Sequence, residues 1–351
     1  MELNMNENQN NVQNYEEEID IRELIMALWK QKIMIISLTL IAAILACLFS
    51  VFILSPVYDT KLNIVISMPE TYNTRYGSYT LPITTNQQYI NLITSNDVIV
   101  NTIKDMGYSS EEMIIENMKK GISIGKVDTT ADVAQNSFEV TVSANNSEES
   151  LKLAETLYNN YIEFLDVMTK ERAVTKFYND FTINLKSLEV SLKSTKEILK
   201  KNKELLAKTP QTINQKEAMK EIQGQLTNTS DYVVLENVIN PNYTKIESDI
   251  VANEQEINRI EDTMNINNKF LVELDKEKKA IAKYYETGKE VKLDSDLIGV
   301  IETSVYLPSP PVAPTHKTSP SNTTNVVIGA VLGGIIGVMI ALVKKYWFIK
   351  Q

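Results

Sequence analysis

Two apolar runs bracket this chain. From Ile33 to Leu54 the sequence reads IMIISLTLIAAILACLFSVFIL without a charge, and a second uncharged run covers Val326 to Val343. A helix needs about 20 apolar residues to cross a bilayer core. Both runs therefore predict membrane spans. The long stretch between them is mostly polar, with strand-like alternation first and helical heptads after it.

Tyr58, Thr60, Leu62, Ile64 and Ile66 alternate with more polar neighbours, which predicts a strand just after the first span. Residues 69–82 are rich in Tyr, Thr and Gly with prolines and read as a loop. Thr85 to Met106 reads as one helix ending at Gly107, and Ser110 to Lys119 as a second that stops before Gly121. Ile122 to Val127 and Ser137 to Ser143 are short strands, with Phe138, Val140 and Val142 alternating in the latter. This order makes a small α/β module.

Helical spacing then takes over. Asn146 caps a helix, with Glu149 three residues on. Leu151, Ala154, Tyr158, Tyr161, Leu165 and Met168 form one stripe. After a phase break near Arg172, Val174, Tyr178, Phe181, Leu185, Leu188, Leu192, Thr195, Leu199, Asn202 and Leu206 form a heptad seam. Pro210 ends or kinks it. A mixed patch carries Ile213, Met219, Ile222 and Leu226. Asn240-Pro241 then opens a second heptad helix that runs from Tyr243 to Tyr285 and ends at Gly288. Two opposed heptad helices pair most simply as an antiparallel hairpin, and a seam shared between subunits is the alternative. Leu297 to Leu307 suits a strand that rejoins Tyr58 to Ile66. A proline-rich stalk, Pro308 to Pro320, leads into the second span.

The expected fold class is an α+β membrane protein: two transmembrane helices flank an extracytoplasmic α/β base with a long coiled-coil hairpin. The expected divisions are a cytoplasmic tail and juxtamembrane helix (1–32), the first span (33–54) and the base (55–146). The helical protrusion (147–288), the returning strand and stalk (289–325), the second span (326–343) and a cytoplasmic tail (344–351) complete them.

Charge sets the orientation. Arg22, Lys30 and Lys32 precede the first span and Lys344, Lys345 and Lys350 follow the second, while only Lys61 and Lys317 flank the loop side. Positive charge stays inside, so both termini are expected in the cytoplasm and the loop outside. The acidic residues before the first run and its length argue against a cleaved signal peptide. A net charge of −10 leaves no basic stripe for nucleic acid and repels anionic lipid surfaces, so contact with membrane lipid rests on the spans. Within the second span Gly329, Gly333 and Gly337 form a ridge that lets another helix approach closely, within or between subunits; Ala42, Ala46 and Ser50 make a weaker ridge on the first.

Catalytic chemistry is missing. There is one cysteine, Cys47, and one histidine, His316, so a nucleophile pair, a zinc site or a haem ligand set has no residues to build on. No phosphate-binding loop, G-x-S-x-G or H-E-x-x-H motif occurs. The carboxylates lie on helix surfaces near lysines, a solvated pattern. No cofactor is expected.

The stretch Ile19-Asp20-Ile21-Arg22-Glu23-Leu24, running through Leu28-Trp29-Lys30 into a span, resembles the start of the bacterial polysaccharide co-polymerases, the Wzz-type chain-length determinants. Ile21 stands where that family has leucine. Asp20 and Leu24 carry the likeness at this end. At the other end Ala313-Pro314 and Ser319-Pro320 resemble the family's proline-rich signature, with His316-Lys317 in place of its middle proline. The resemblance implies a non-enzymatic oligomer that works with a membrane polymerase and sets the length of a capsular, exopolysaccharide or O-antigen-like chain. The relatives with a fused kinase carry a nucleotide loop after the second span that this sequence lacks. An adaptor for a separate cytoplasmic tyrosine kinase is the first alternative. A structural envelope coiled coil, with a partner-binding tip near residues 209–240, is the second.

Overall fold

The computed structural model describes residues 21–83, 85–109, 114–125, 137–216, 237–287, 293, 295, 297 and 304–347. Asp20, Met219, Ile222, Leu226 and Gly288, and the ends of several expected elements, lie outside the described residues.

Helix α1 (Ile21–Lys30) passes through Gln31 into α2 (Lys32–Phe52). Strand β1 (Tyr58–Ile66) follows and becomes the spine of the base. Thr60, Leu62, Ile64 and Ile66 are all buried on its inner face, as the alternation requires. β1 pairs antiparallel with β5 (Ser137–Ala144), which pairs with β4 (Ile122–Ile124). On its other edge β1 receives β8 (Val305–Tyr306) through Val65 and Ile66; the strand expected over Leu297 to Leu307 is shorter, since neither Ser304 nor Leu307 belongs to it. The sheet order is β4-β5-β1-β8.

Residues 69–82 are not a loop. Thr71–Thr74 (β2) and Gly77–Thr80 (β3) form a hairpin around Arg75-Tyr76, with Gly77 at φ +120°. A positive φ of this kind is open to glycine at little strain. Tyr72, Tyr76 and Tyr79 are buried. Their partners explain why local polarity misleads here. The Tyr76 ring sits 5.8 Å from Phe177, 6.5 Å from Phe181 and 5.2 Å from Phe270, which lie on the two long helices. Its hydroxyl donates to Glu273 at 3.1 Å, and Arg75 pairs with the same carboxylate at 3.2 Å.

The helix expected over Thr85 to Met106 is also divided. α3 (Asn86–Asn91) passes into a 3₁₀ turn over Leu92–Thr94, and α4 (Asn96–Met106) restarts after Ser95. Ser95 is extended at φ −62°, ψ 154°, the backbone of a residue preceding a helix. Apolar spacing runs through this break because Ile90, Ile93, Val98 and Ile99 all still reach one core. α5 (Ile115–Lys120) is the second short helix, and it starts later than the expected Ser110, because Ile114 is extended at φ −83°, ψ 154°.

Helix α6 (Ser147–Lys208) starts where its cap places it: Asn146 Oδ1 accepts from the Glu149 amide at 2.8 Å. It runs unbroken past Arg172, so the phase break in its stripe does not interrupt the helix. A helix of 62 residues is about 93 Å long. The phase break instead marks a change of surroundings. Leu153, Leu157, Tyr161, Leu165, Ala173, Val174 and Phe177 are buried in the base core, and thereafter the seam is only half-buried.

Helix α7 (Pro241–Glu286) returns antiparallel along α6. Lys196 meets Glu261 at 2.9 Å, and seven residues further Lys203 meets Glu254 at 2.8 Å, one unshifted register. Exposed pairs of this kind contribute about 0–1 kcal/mol each, so they report the register rather than hold it. Ile250, Ile257, Ile260, Leu274 and Ile281 are the buried seam of α7. At the distal end Thr212–Ile213 (β6) pairs with Val238–Ile239 (β7), and Asn240 caps α7 while donating to Pro210 O at 2.8 Å. Among the described residues no group of His, Cys, Asp and Glu could hold a metal ion.

Tyr76 joins hairpin to helices, so Tyr76→Ala is expected to destabilise the base by about 3 kcal/mol, in the range of large aromatic deletions. Tyr76→Phe, which loses the bond to Glu273 and the one its hydroxyl accepts from Arg75 at 2.6 Å, should cost about 1–2 kcal/mol. Urea unfolding of the full chain followed by far-UV circular dichroism measures both. Equal effects would show that the hydroxyl, not the ring, makes the joint.

Candidate assembly site at the membrane foot

The second span lies in α8 (Asn322–Tyr346), four residues longer at its start than the apolar run suggests. Ser321 caps it by accepting from the Thr324 amide. Both α2 and α8 are long and apolar enough to cross a membrane. They pack against each other along the glycine ridge. A Cβ on Gly329 would stand 2.4 Å from the Ala46 Cβ, and one on Gly333 would stand 2.5 Å from the Ala42 Cβ and 3.1 Å from Leu38 O. On Gly337 it would meet Ile35 Cα at 3.1 Å. These distances leave no room for a side chain. The ridge therefore meets the small residues of the first span in the same chain. Gly334, one residue off the ridge, has only Thr39 Oγ1 near it, at 3.5 Å.

A polar chain closes the end of the pair that faces the base. Ser50, fully buried, donates to Asn322 Oδ1 at 2.9 Å and accepts from Asn325 Nδ2 at 2.9 Å. Lys317 donates to the same Asn322 oxygen at 3.1 Å. In hydrocarbon an unsatisfied polar group costs several kcal/mol, so these residues act as a matched set. Sequence reasoning placed Ser50 on the small ridge but missed Asn322 and Asn325. Their i, i+3 spacing at the start of an apolar run was the available signal.

The stalk is fastened above this foot. Pro314 O accepts from Ser147 Oγ at 2.6 Å, at the first turn of α6. Ser319 O accepts from the Val57 amide at 2.8 Å, and Val57 O accepts from Thr318 at 2.8 Å, just before β1. Ala313 and Pro320 are half-buried. Thus Pro314 and Ser319 come together with the roots of α6 and β1, while Leu24, half-buried on α1, lies apart from them. α1 packs beside α8, where Ala27 and Ala341 are both buried.

Above the foot, tyrosines of the base serve as donors. Tyr108 donates to Glu149 at 2.6 Å, and burial together with that carboxylate pushes its pKa up. Tyr161 donates to Tyr89 O at 2.9 Å. Burial raises Tyr89 to about 12, so it stays neutral across the physiological range.

Residues 17–106 match the family model for Wzz, described as chain length determinant protein. The capsular polysaccharide biosynthesis protein CpsC of Streptococcus agalactiae is 27% identical over 170 residues, covering 47% of this chain and 70% of that protein. Its counterpart from a serotype Ia strain matches equally. Among solved structures a full-length bacterial polysaccharide co-polymerase aligns over 95% of this chain and 99% of its own, at 14% identity and a TM-score of 0.47. The O-antigen chain-length regulator of Shigella flexneri aligns over 74% of this chain at 12% identity and a TM-score of 0.30.

The glycine ridge allows a direct test. Gly333→Leu is expected to push the spans apart, lengthening the distance between spin labels on Leu40 and Val331 by several ångströms (a Leu side chain is on the order of that size). Gly334→Leu should leave it unchanged. If both substitutions behaved alike, ridge contact would not be what holds the foot.

Proposed function

We propose that this chain, which belongs to the Wzz-type chain-length-determinant family, is a non-enzymatic regulator of polysaccharide chain length. It acts as an oligomeric partner of a membrane polymerase that builds a capsular, exopolysaccharide or O-antigen-like polymer. The carrying observation is that the family match over residues 17–106 falls on α1, the first span and the leading half of the base. The same base is closed by a strand and stalk from the far end of the chain. The streptococcal relatives, named for capsular polysaccharide biosynthesis, support the polymer class.

In this reading both termini lie in the cytoplasm and the base and helical hairpin lie outside. The flanking charges support it: Lys30 and Lys32 sit at the inner end of α2, and Lys344 and Lys345 in the last turn of α8. A second partner is a separate cytoplasmic tyrosine kinase, reached through α1 and residues 344–351. Its co-purification with the full chain, lost on removing residues 344–351, is the expected result.

The oligomer has a surface to use. Ile183, Val190, Ile198 and Leu205 are 47–71% exposed on α6. At 100° per residue they fall within about 80° of one another and face away from the α7 seam. A second copy of this chain would cover that stripe.

Deleting the gene in its host is expected to broaden or shift the size distribution of the surface polysaccharide, read by gel electrophoresis. An unchanged distribution would sink the reading. In the purified full chain, Ile183→Glu with Val190→Glu should lower the oligomeric mass seen by light scattering while α-helical content stays constant.

A further inference from the structure

Where α7 returns to the base, its last turn stands against α4 and α6 and leaves a cleft of about 290 Å³. Tyr285 lies on its rim, half exposed, and its ring is braced edge-on by Tyr284 at 5.5 Å and 74°. Phe164 of α6 adds a second aromatic wall. Opposite stand the side chains of Asn96, Asp97 and Asn101 from the first turns of α4. The hydroxyls of both tyrosines are already directed: Tyr284 donates to Glu163 at 2.6 Å and Tyr285 to Glu171 at 3.1 Å. Burial and the neighbouring Glu171 carboxylate raise Tyr285 to about 12, so the phenol remains neutral.

We propose that the cleft binds one neutral pyranose unit of the growing polysaccharide, with Tyr285 as the stacking platform and Asp97 and Asn101 as hydroxyl partners. The chemistry decides the ligand class. A pyranose presents a face of C–H groups, which carry slight positive charge and suit the negative face of an aromatic ring. Its hydroxyls need paired donors and acceptors at the rim of that face; Asn101 spends one amide hydrogen on Asp97 O at 2.6 Å and keeps its second N–H and its Oδ1, beside the Asp97 carboxylate, to supply both. The volume is at the small end for ligand sites, which fits one ring of a longer chain. Charge excludes the alternatives. Asp97 lines the cleft, Glu163 and Glu171 hold the hydroxyls of its two tyrosines, and Lys119 is engaged with Asn96 Oδ1 at 2.7 Å. A phosphate, uronate or sialate unit would meet a field of its own sign.

The proposal rests on the chain-length reading for the identity of its ligand, and its test is separable from that reading. The full chain, held in a sugar-free amphipol, is examined by saturation-transfer NMR against neutral tetrasaccharides of glucose, galactose, mannose and N-acetylglucosamine, and against tetragalacturonate. At least one neutral probe should show transfer from the aromatic protons, and tetragalacturonate should bind at least tenfold more weakly. Tyr285→Ala should reduce the neutral signal at least tenfold without lowering the thermal midpoint, because the ring is half exposed. Tyr285→Phe should stay within twofold. Transfer that survives Tyr285→Ala, the absence of transfer from every neutral probe, or equal binding of the uronate would overturn the cleft assignment. The effect of gene deletion on polymer length would be untouched by any of these results. Conversely, an unchanged polymer after deletion with Tyr285-dependent binding intact would retain the sugar site and remove the role in length control.

Discussion

Gly333 stands so close to Ala42 that a single added carbon would overlap it, and the rest of the chain is arranged around that contact. Apolar helices gain little from each other's hydrophobicity in lipid, so close backbone approach and hydrogen bonds must hold them. Here the ridge supplies the approach, and Ser50, Asn322 and Asn325 supply the bonds at its base-facing end. The two spans are thereby pinned together, and the segments that leave them start side by side. Val57 can then bridge Ser319, and β1 can accept β8. A sheet edge formed by residues some 240 positions apart in the chain would otherwise carry a loop-closure penalty growing with that separation.

The second joint is aromatic. Tyr76 is held at the tip of a short hairpin and touches both arms of the long helical pair, while Arg75 and its own hydroxyl meet Glu273. Two-helix pairs are otherwise only half-buried along most of their seam. The hairpin therefore adds a third element where α6 and α7 enter the base. It is the place where a polar-looking segment contributes most to the core.

Much of this was legible from sequence, for reasons that particular residues make plain. The spans, β1, β5, α6 and α7 follow from periodicity and caps that act locally: Asn146 and Asn240 start the helices they were expected to start. The hairpin over 71–80 was not legible, because Thr and Asn alternate with its tyrosines and the aromatic partners that bury Tyr76 lie roughly 100 and 200 residues away. The break at Ser95 was hidden by apolar spacing that both halves share. At the foot, the glycine spacing pointed to close contact but not to its partner. That choice depends on shape, since Ala42 and Ala46 offer a groove of the same repeat. The cleft beside Tyr285 was invisible for a related reason: its walls come from three helices, and Tyr285 read as the last seam position of its own.

Helix α6 makes these joints into one body. Its first turn donates to the stalk through Ser147, and its next six turns cover the sheet. Phe177 and Phe181 receive the hairpin, and the rest forms the protrusion with α7. An unbroken helix has no hinge at Arg172, so a tilt imposed at the foot is carried outward over about 93 Å. Gentle curvature is the main freedom such a helix retains. The distal turn at Asn240 and the cleft at Tyr285 are thus both referred to the same membrane contact. Pairing of the two spans and placement of the distal protrusion become one mechanical problem, set at Gly333.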